Sequence, residues 1–291
     1  MAPESSQPAD EQPKKRVPLV ENHEVDPKAL PWEMPNPKLE APEGHRAGFV
    51  NIIGSPNVGK STLMNQLVGT RLSIINKKAQ TTRHRIMGIV NDPMWQIVYS
   101  DTPGVLDPAY KLQEGMMKFV RTALQDADVL LVVTDVFEDA LADPQTWEKI
   151  TKMDLPTFIL INKIDLADQE RAMQRVAYWQ EQMPAATVAP ISALHGFNVD
   201  SLLERIVESL PVAPPYFPKD ELTDKPMRFF VAEIVREKIL THYKQEIPYS
   251  CEVVVESYVD EGALVKIVVI GRVARETQKQ IDIGARGNMI K

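Results

Sequence analysis

Cysteine is almost absent from the 291 residues: Cys251 stands alone. One cysteine excludes an internal disulfide framework and fits a reducing compartment, a cytosol or an organelle matrix. No apolar run approaches the ~18 residues of a membrane span, which leaves only peripheral membrane contact open. The five histidines, His23, His45, His84, His195 and His242, show no metal-ligand spacing. Positive charge is not in excess either. Lys and Arg number 33 against 40 Asp and Glu, a net −7, so the overall balance does not advertise nucleic-acid binding. The one local basic excess is at the C-terminal end, where Lys266, Arg272, Arg275, Lys279, Arg286 and Lys291 face only Glu276 and Asp282.

Hydrophobic residues make up 44% of the chain, enough for a sizeable core. Residues 1–46 hold nine prolines and few apolar side chains. Such a segment cannot offset its ordering entropy, and a disordered tail is expected. It has no secretory h-region and is too acidic for a typical transit peptide. From residue 49 short apolar runs alternate with helical patterns. Strands are expected at 49–53, 96–100, 129–134, 157–161 and 187–190, and helices at 63–68, 112–125, 144–152, 169–182 and 199–210. That alternation implies an α/β fold with crossover units and a mostly parallel sheet. The stretch PVAPPYFP at 211–218 reads as a stiff linker. Beyond it come a helix at 226–243, a strand pair at 252–259 and 264–273, and a short helix at 274–281, an α+β order unlike the first part. The expected domains are 47–212 and 219–291, joined by 213–218.

Gly54-Ser-Pro-Asn57-Val58-Gly59-Lys60-Ser61 matches G-x-x-x-x-G-K-[ST] in full, between an expected strand and an expected helix. Its glycines let backbone N–H groups curl around a phosphate, and the helix that follows presents its positive end. Lys60 brings a charge to the β- and γ-phosphates, Ser61 a hydroxyl to Mg²⁺, and Thr62 continues the loop. Asp101-Thr-Pro-Gly104 follows the strand at 96–100, at the carboxyl end where open α/β sheets bind ligands. There Asp101 is expected to help hold Mg²⁺, and the Gly104 amide to sense the γ-phosphate.

Asn162-Lys163-Ile-Asp165 points to the base. Guanine offers N1–H and N2–H side by side, and the single carboxylate of Asp165 accepts both. Adenine would leave that carboxylate unpaired, which polar sites reject strongly, so an ATPase is disfavoured. Lys163 is expected to lie along the base and Asn162 to tie the loop to the phosphate loop. Ser192, Ala193 and Leu194 are expected to bring amides within reach of the guanine O6.

With those motifs stand Lys78-Ala-Gln-Thr81-Thr82-Arg-His-Arg-Ile86, Glu233-Ile-Val-Arg-Glu-Lys-Ile-Leu240, Ile247-Pro-Tyr-Ser250 and Gly284-Ala285-Arg286-Gly287. Together they resemble the bacterial and organellar Era GTPases over about residues 47–291. The resemblance implies a Ras-like G domain followed by a type II KH domain, GTP/GDP and Mg²⁺ as ligands, and GTP hydrolysis. It implies binding of the 3′ end of small-subunit rRNA, a role in small ribosomal subunit maturation, and a monomer in bacterial cytoplasm or a plastid or mitochondrial matrix. It places Thr81 and Thr82 on the first switch, one of them supporting Mg²⁺. It places Gly284, Ala285, Arg286 and Gly287 on the KH loop that grips RNA backbone. The family's chain continues past that loop, so the KH domain is expected to be incomplete at Lys291.

Ras-type enzymes orient the attacking water with a glutamine directly after the D-x-x-G glycine. Here that residue is Val105, and Gln113 lies too far along. Slow intrinsic turnover is therefore expected, with help from another group or a partner. Other readings are a different RNA-associated P-loop GTPase, or an RNA-binding module that holds GTP without turning it over.

Overall fold

The computed structural model describes residues 41–78, 80–243 and 247–273. The expected helix at 274–281 and the loop Gly284, Ala285, Arg286 and Gly287 lie outside the described residues, as does the tail up to residue 40.

The elements run β1 (Arg46–Gly54), α1 (Lys60–Val68), β2 (Ile86–Asn91), β3 (Trp95–Asp101), α2 (Lys111–Gln125), β4 (Val129–Asp135) and α3 (Pro144–Thr151). Then follow β5 (Thr157–Asn162), α4 (Gln169–Gln182), β6 (Thr187–Pro190) and α5 (Val199–Ser209). The chain goes on with α6 (Met227–His242), the single turn α7 (Ile247–Ser250), β7 (Cys251–Asp260) and β8 (Val265–Val273). The first six strands form one sheet in the order β2-β3-β1-β4-β5-β6. Only β2 runs antiparallel to its neighbour. β7 and β8 pair antiparallel as a separate ribbon.

Strand alternation builds two cores from one sheet. Val129, Leu131 and Val133 of β4 pack with α1 and α5, through Leu63, Met64, Leu202 and Ile206. Leu130 and Val132 face the other way, toward Val120, Ile150 and Trp179 of α2, α3 and α4. Both faces are covered, which is why these strands read as unbroken apolar runs. Trp147 packs edge-on against Trp179, and Met116 and Met117 are buried, so all four serve packing.

Sequence patterning missed β2 altogether. It also carried the N-terminal tail too far: Arg46 opens β1, and His45 is buried with Nδ1 2.8 Å from Ala213 O. The connector after α5 is held along the edge of the sheet. Gln96 Oε1 accepts from the amides of Tyr216 (2.7 Å) and Phe217 (3.0 Å), and Gln96 Nε2 donates to Phe217 O (2.8 Å). Further on, Ile89 N donates to Leu222 O (2.8 Å), and Thr223 Oγ1 donates to Met87 O (2.7 Å). Residues 221–224 thus cover the edge strand β2, whose free N–H and C=O groups would otherwise invite another chain.

A buried polar knot ties β2 to the far end of α2. Arg85 Nη2 donates to Asp126 Oδ1 (2.9 Å) and to Asn51 Oδ1 (3.2 Å), and Asn51 Nδ2 donates to the same Asp126 oxygen (2.7 Å). Asp126 is the C-terminal cap residue of α2. Removing one partner of a buried pair strands the other charge. Arg85→Ala is therefore expected to destabilise the fold by about 3–5 kcal/mol in chemical denaturation.

Candidate functional site

The carboxyl ends of β1, β3, β4 and β5 line up along one edge of the sheet. Above them lies a cleft of about 910 Å³, within the size range of small-molecule sites. The loop after β1 turns straight into α1. Gly59, the N-cap residue, has φ 102°, and a Cβ there would sit 2.2 Å from Asn162 Nδ2, so only glycine fits. The helix starts at Lys60, three residues before the apolar pattern suggested, so Lys60, Ser61 and Thr62 occupy its first turn. Lys60 is 6% exposed, and its Nζ donates to Gly54 O (3.0 Å) and Ser55 O (2.7 Å). Burial pushes its ammonium from the ordinary 10.5 down to about 8, against the pull of the Asp101 and Glu138 carboxylates.

Asp101 ends β3 fully buried. Ser61 Oγ donates to its Oδ2 at 2.7 Å, and Thr82 Oγ1 lies 2.9 Å from Ser61 Oγ. The other oxygen, Asp101 Oδ1, is buried without a hydrogen-bond partner. Burial raises the pKa of Asp101, offset in part by the Ser61 hydroxyl and the Lys60 charge. An all-oxygen set of one carboxylate and two hydroxyls, with one carboxylate oxygen unpartnered, fits the hard ion Mg²⁺. The two adjacent threonines divide here: Thr81 Oγ1 donates instead to Lys78 O (2.7 Å). Gly104 passes so close to the phosphate loop that a Cβ would meet Pro56 backbone at 2.8 Å. Val105 is fully buried, with its amide on Gly54 O (2.9 Å).

At the other end of the cleft Asn162 clamps two loops. Its Nδ2 donates to Val58 O (2.8 Å) and its Oδ1 accepts from Ala193 N (2.9 Å). The Ala193 amide, expected to face a base, is thus already engaged by Asn162. Leu194, 71% exposed, stays at the cleft lining. Lys163 adopts φ 62° and its Nζ pairs with Asp135 Oδ2 (2.7 Å), which fixes its stem along the cleft. Asp165 Oδ1 accepts from Ser192 Oγ (2.6 Å), so the carboxylate is oriented by a neutral donor.

Three features at the cleft were not assigned a role from sequence. Glu138, on the loop after β4, accepts from Thr134 Oγ1 (2.8 Å) close to the phosphate loop, and burial raises its pKa. Leu240 and Thr241 bring α6 to the cleft wall. Lys78, Thr81 and Arg83 are bound to that same part of the chain. Lys78 Nζ donates to the carbonyls of Leu240 and Tyr243 at the C-terminal end of α6, where a cation suits the helix dipole. Arg83 donates to Cys251 O (2.8 Å) and Pro248 O (2.7 Å), and Arg236 donates to Thr81 O while paired with Glu233.

Residues 49–163 match the family described as 50S ribosome-binding GTPase. GTPase Era of Geotalea uraniireducens is 43% identical over 248 residues, 84% of this chain and 84% of that protein. The chain belongs to the Era GTPase family. A maize relative, GTPase ERA1, chloroplastic, is 44% identical over 85% of this chain, but the chain spans only 61% of that relative's length. Among solved structures, Era in complex with MgGDPNP and nucleotides 1506–1542 of 16S ribosomal RNA aligns with TM-score 0.80 and 36% identity, over 84% of this chain and 85% of that one. A variant of Aquifex aeolicus Era bound to GDP·AlF4⁻ aligns with TM-score 0.78 at the same identity, over 84% and 85%. The Era fold, a Ras-like G domain followed by antiparallel strands, is the fold described above.

The buried ammonium of Lys60 makes a prediction for the protein without ligand. Its folded-state pKa, about 8, lies below the ordinary 10.5, so between these values the unfolded chain binds more protons and stability rises with pH. Below about pH 8 the desolvation cost is fully present. Lys60→Met is expected to raise stability at pH 7 by up to about 3 kcal/mol, with the gain shrinking toward zero above pH 10.5. Thermal melts of both proteins across that range measure it.

Proposed function

We propose that this chain binds GTP and GDP with Mg²⁺, hydrolyses GTP to GDP and phosphate, and works on small-subunit rRNA during small ribosomal subunit maturation. The observation that carries this reading is the two-ended cleft. Ser61, Thr82 and Asp101 gather at one end and Asn162, Asp165 and Ser192 at the other, joined by the phosphate loop. The 16S rRNA in the complex of the neighbouring Era structure supports the RNA partner. Relatives from bacteria and chloroplasts support bacterial cytoplasm or plastid as the setting. A monomer is proposed because both ends of the cleft come from one chain. Residues 213–218 are proposed as the linker between a G domain at 47–212 and an RNA-binding KH domain at 219–291, although 219–224 pack on β2.

In this reading the amides of Gly54, Asn57, Val58, Gly59, Lys60, Ser61 and Thr62 hold the phosphates. Lys60 leaves its two carbonyl partners for the β- and γ-phosphates, whose charge restores the ammonium that burial disfavours. Ser61, Thr82 and Asp101 hold Mg²⁺, with Thr82 preferred over Thr81 because its hydroxyl already faces Ser61 and Asp101. When bound, Mg²⁺ neutralises charge on the β- and γ-phosphate oxygens. Gly104 brings its amide to the γ-phosphate. Asp165, oriented by Ser192, accepts from both guanine donors, while Lys163 and Leu194 flank the base.

Asp165→Asn is expected to weaken GDP binding by roughly two orders of magnitude and to favour xanthine, whose O2 can accept from the new amide. Competition among GDP, XDP and ADP reads this out. A wild type that takes ADP as well as GDP contradicts the base site.

A further inference from the structure

Val105 cannot orient water in this protein. It is apolar, fully buried and turned into the core behind the cleft. Gln113 cannot do so either, because its Oε1 accepts from Ala109 N (2.7 Å) at the start of α2. The nearby threonines are engaged: Thr81 on Lys78 O, and Thr82 on Ser61 and Asp101. Gln80 remains. It lines the same cleft as Thr82 and Gly104, and its φ of 57° places it in the left-handed region, rarely adopted by a residue with a side chain. Tyr110, the N-cap residue of α2, donates its hydroxyl to Gln80 Oε1 at 2.6 Å. One tyrosine thus joins the loop before β2 to the loop after β3.

We propose that Gln80 is the water-orienting catalytic residue of this GTPase and that Tyr110 is its positioning residue. An amide oxygen has two lone pairs. Tyr110 takes one at Oε1 and leaves the other for a water, and the amide nitrogen donates to a γ-phosphate oxygen. The water oxygen bonds to the γ-phosphorus as the bond to the β–γ bridging oxygen breaks. That electron pair stays with GDP, and both water protons leave with the released phosphate. Gln80 takes up no proton, so it acts by position alone. The glutamine comes from the first loop, where the Ras arrangement draws it from the second.

The inference rests on the GTPase reading, and its test separates the two. Single-turnover GTP hydrolysis, GDP affinity and AlF4⁻-dependent tightening of GDP binding are measured on the wild type, Gln80→Ala and Tyr110→Phe. Gln80→Ala is expected to slow hydrolysis about 100-fold and to lose the AlF4⁻ effect, with GDP affinity kept within about threefold. Tyr110→Phe is expected to lower kcat about tenfold with KM unchanged. A wild type without hydrolysis overturns the GTPase reading and this proposal with it. An active wild type whose Gln80→Ala variant is equally fast overturns the proposal alone. A variant that loses GDP affinity in step with rate overturns it too, since Gln80 would then be structural.

Discussion

Two opposite charges, buried at the start of α1 and at the end of β3, govern this structure. Lys60 and Asp101 both lie out of water and are met by neutral groups, the lysine by two carbonyls and one carboxylate oxygen by a hydroxyl, while the other carboxylate oxygen has no partner. Burial works against both charges, lowering the pKa of one and raising that of the other. Such an arrangement is costly alone and is relieved by a ligand that brings both signs. A polyphosphate with a divalent cation does so: anionic oxygens meet the lysine and the helix N-terminus, and the cation meets the carboxylate.

The surrounding fold keeps these two groups in place. Parallel strands buried on both faces fix where β1 and β3 end, and the Arg85, Asn51 and Asp126 knot fixes where β2 begins and α2 ends. Asn162 holds the phosphate loop to the base loops. Thr82 belongs to a segment that the C-terminal part of the chain grips through Lys78, Arg83 and Arg236. Any displacement of Thr82 must therefore be accommodated by these bonds. The corner formed by Ser61, Thr82 and Asp101 and the segment around α6 are mechanically joined.

The parts of this arrangement that were legible from sequence are those carried by backbone constraints. Gly59 and Gly104 announce close approaches, and continuous apolar runs announce β1, β4 and β5. Strand β2 was hidden because IMGIVN is short and interrupted by Gly88, and its register is set by β3 and the connector. Which of Thr81 and Thr82 turns its hydroxyl to Asp101 is a matter of backbone direction that adjacent identical residues cannot reveal. Glu138 carries no motif, and the Gln80–Tyr110 bond could not be read from the segment that holds Gln80, because it arises where two loops 30 residues apart meet. The bond of the Ala193 amide was hidden for a related reason: its partner, Asn162, lies 31 residues away in sequence.

The dependence of GDP affinity on Mg²⁺, in the wild type and in Asp101→Asn, tests the central claim most directly. The buried, half-satisfied carboxylate predicts that Mg²⁺ tightens GDP binding at least about tenfold in the wild type, a coupling of about 1.4 kcal/mol. It predicts that Asp101→Asn removes that increment while leaving Mg²⁺-free affinity nearly unchanged. An identical Mg²⁺ effect in both proteins would contradict it.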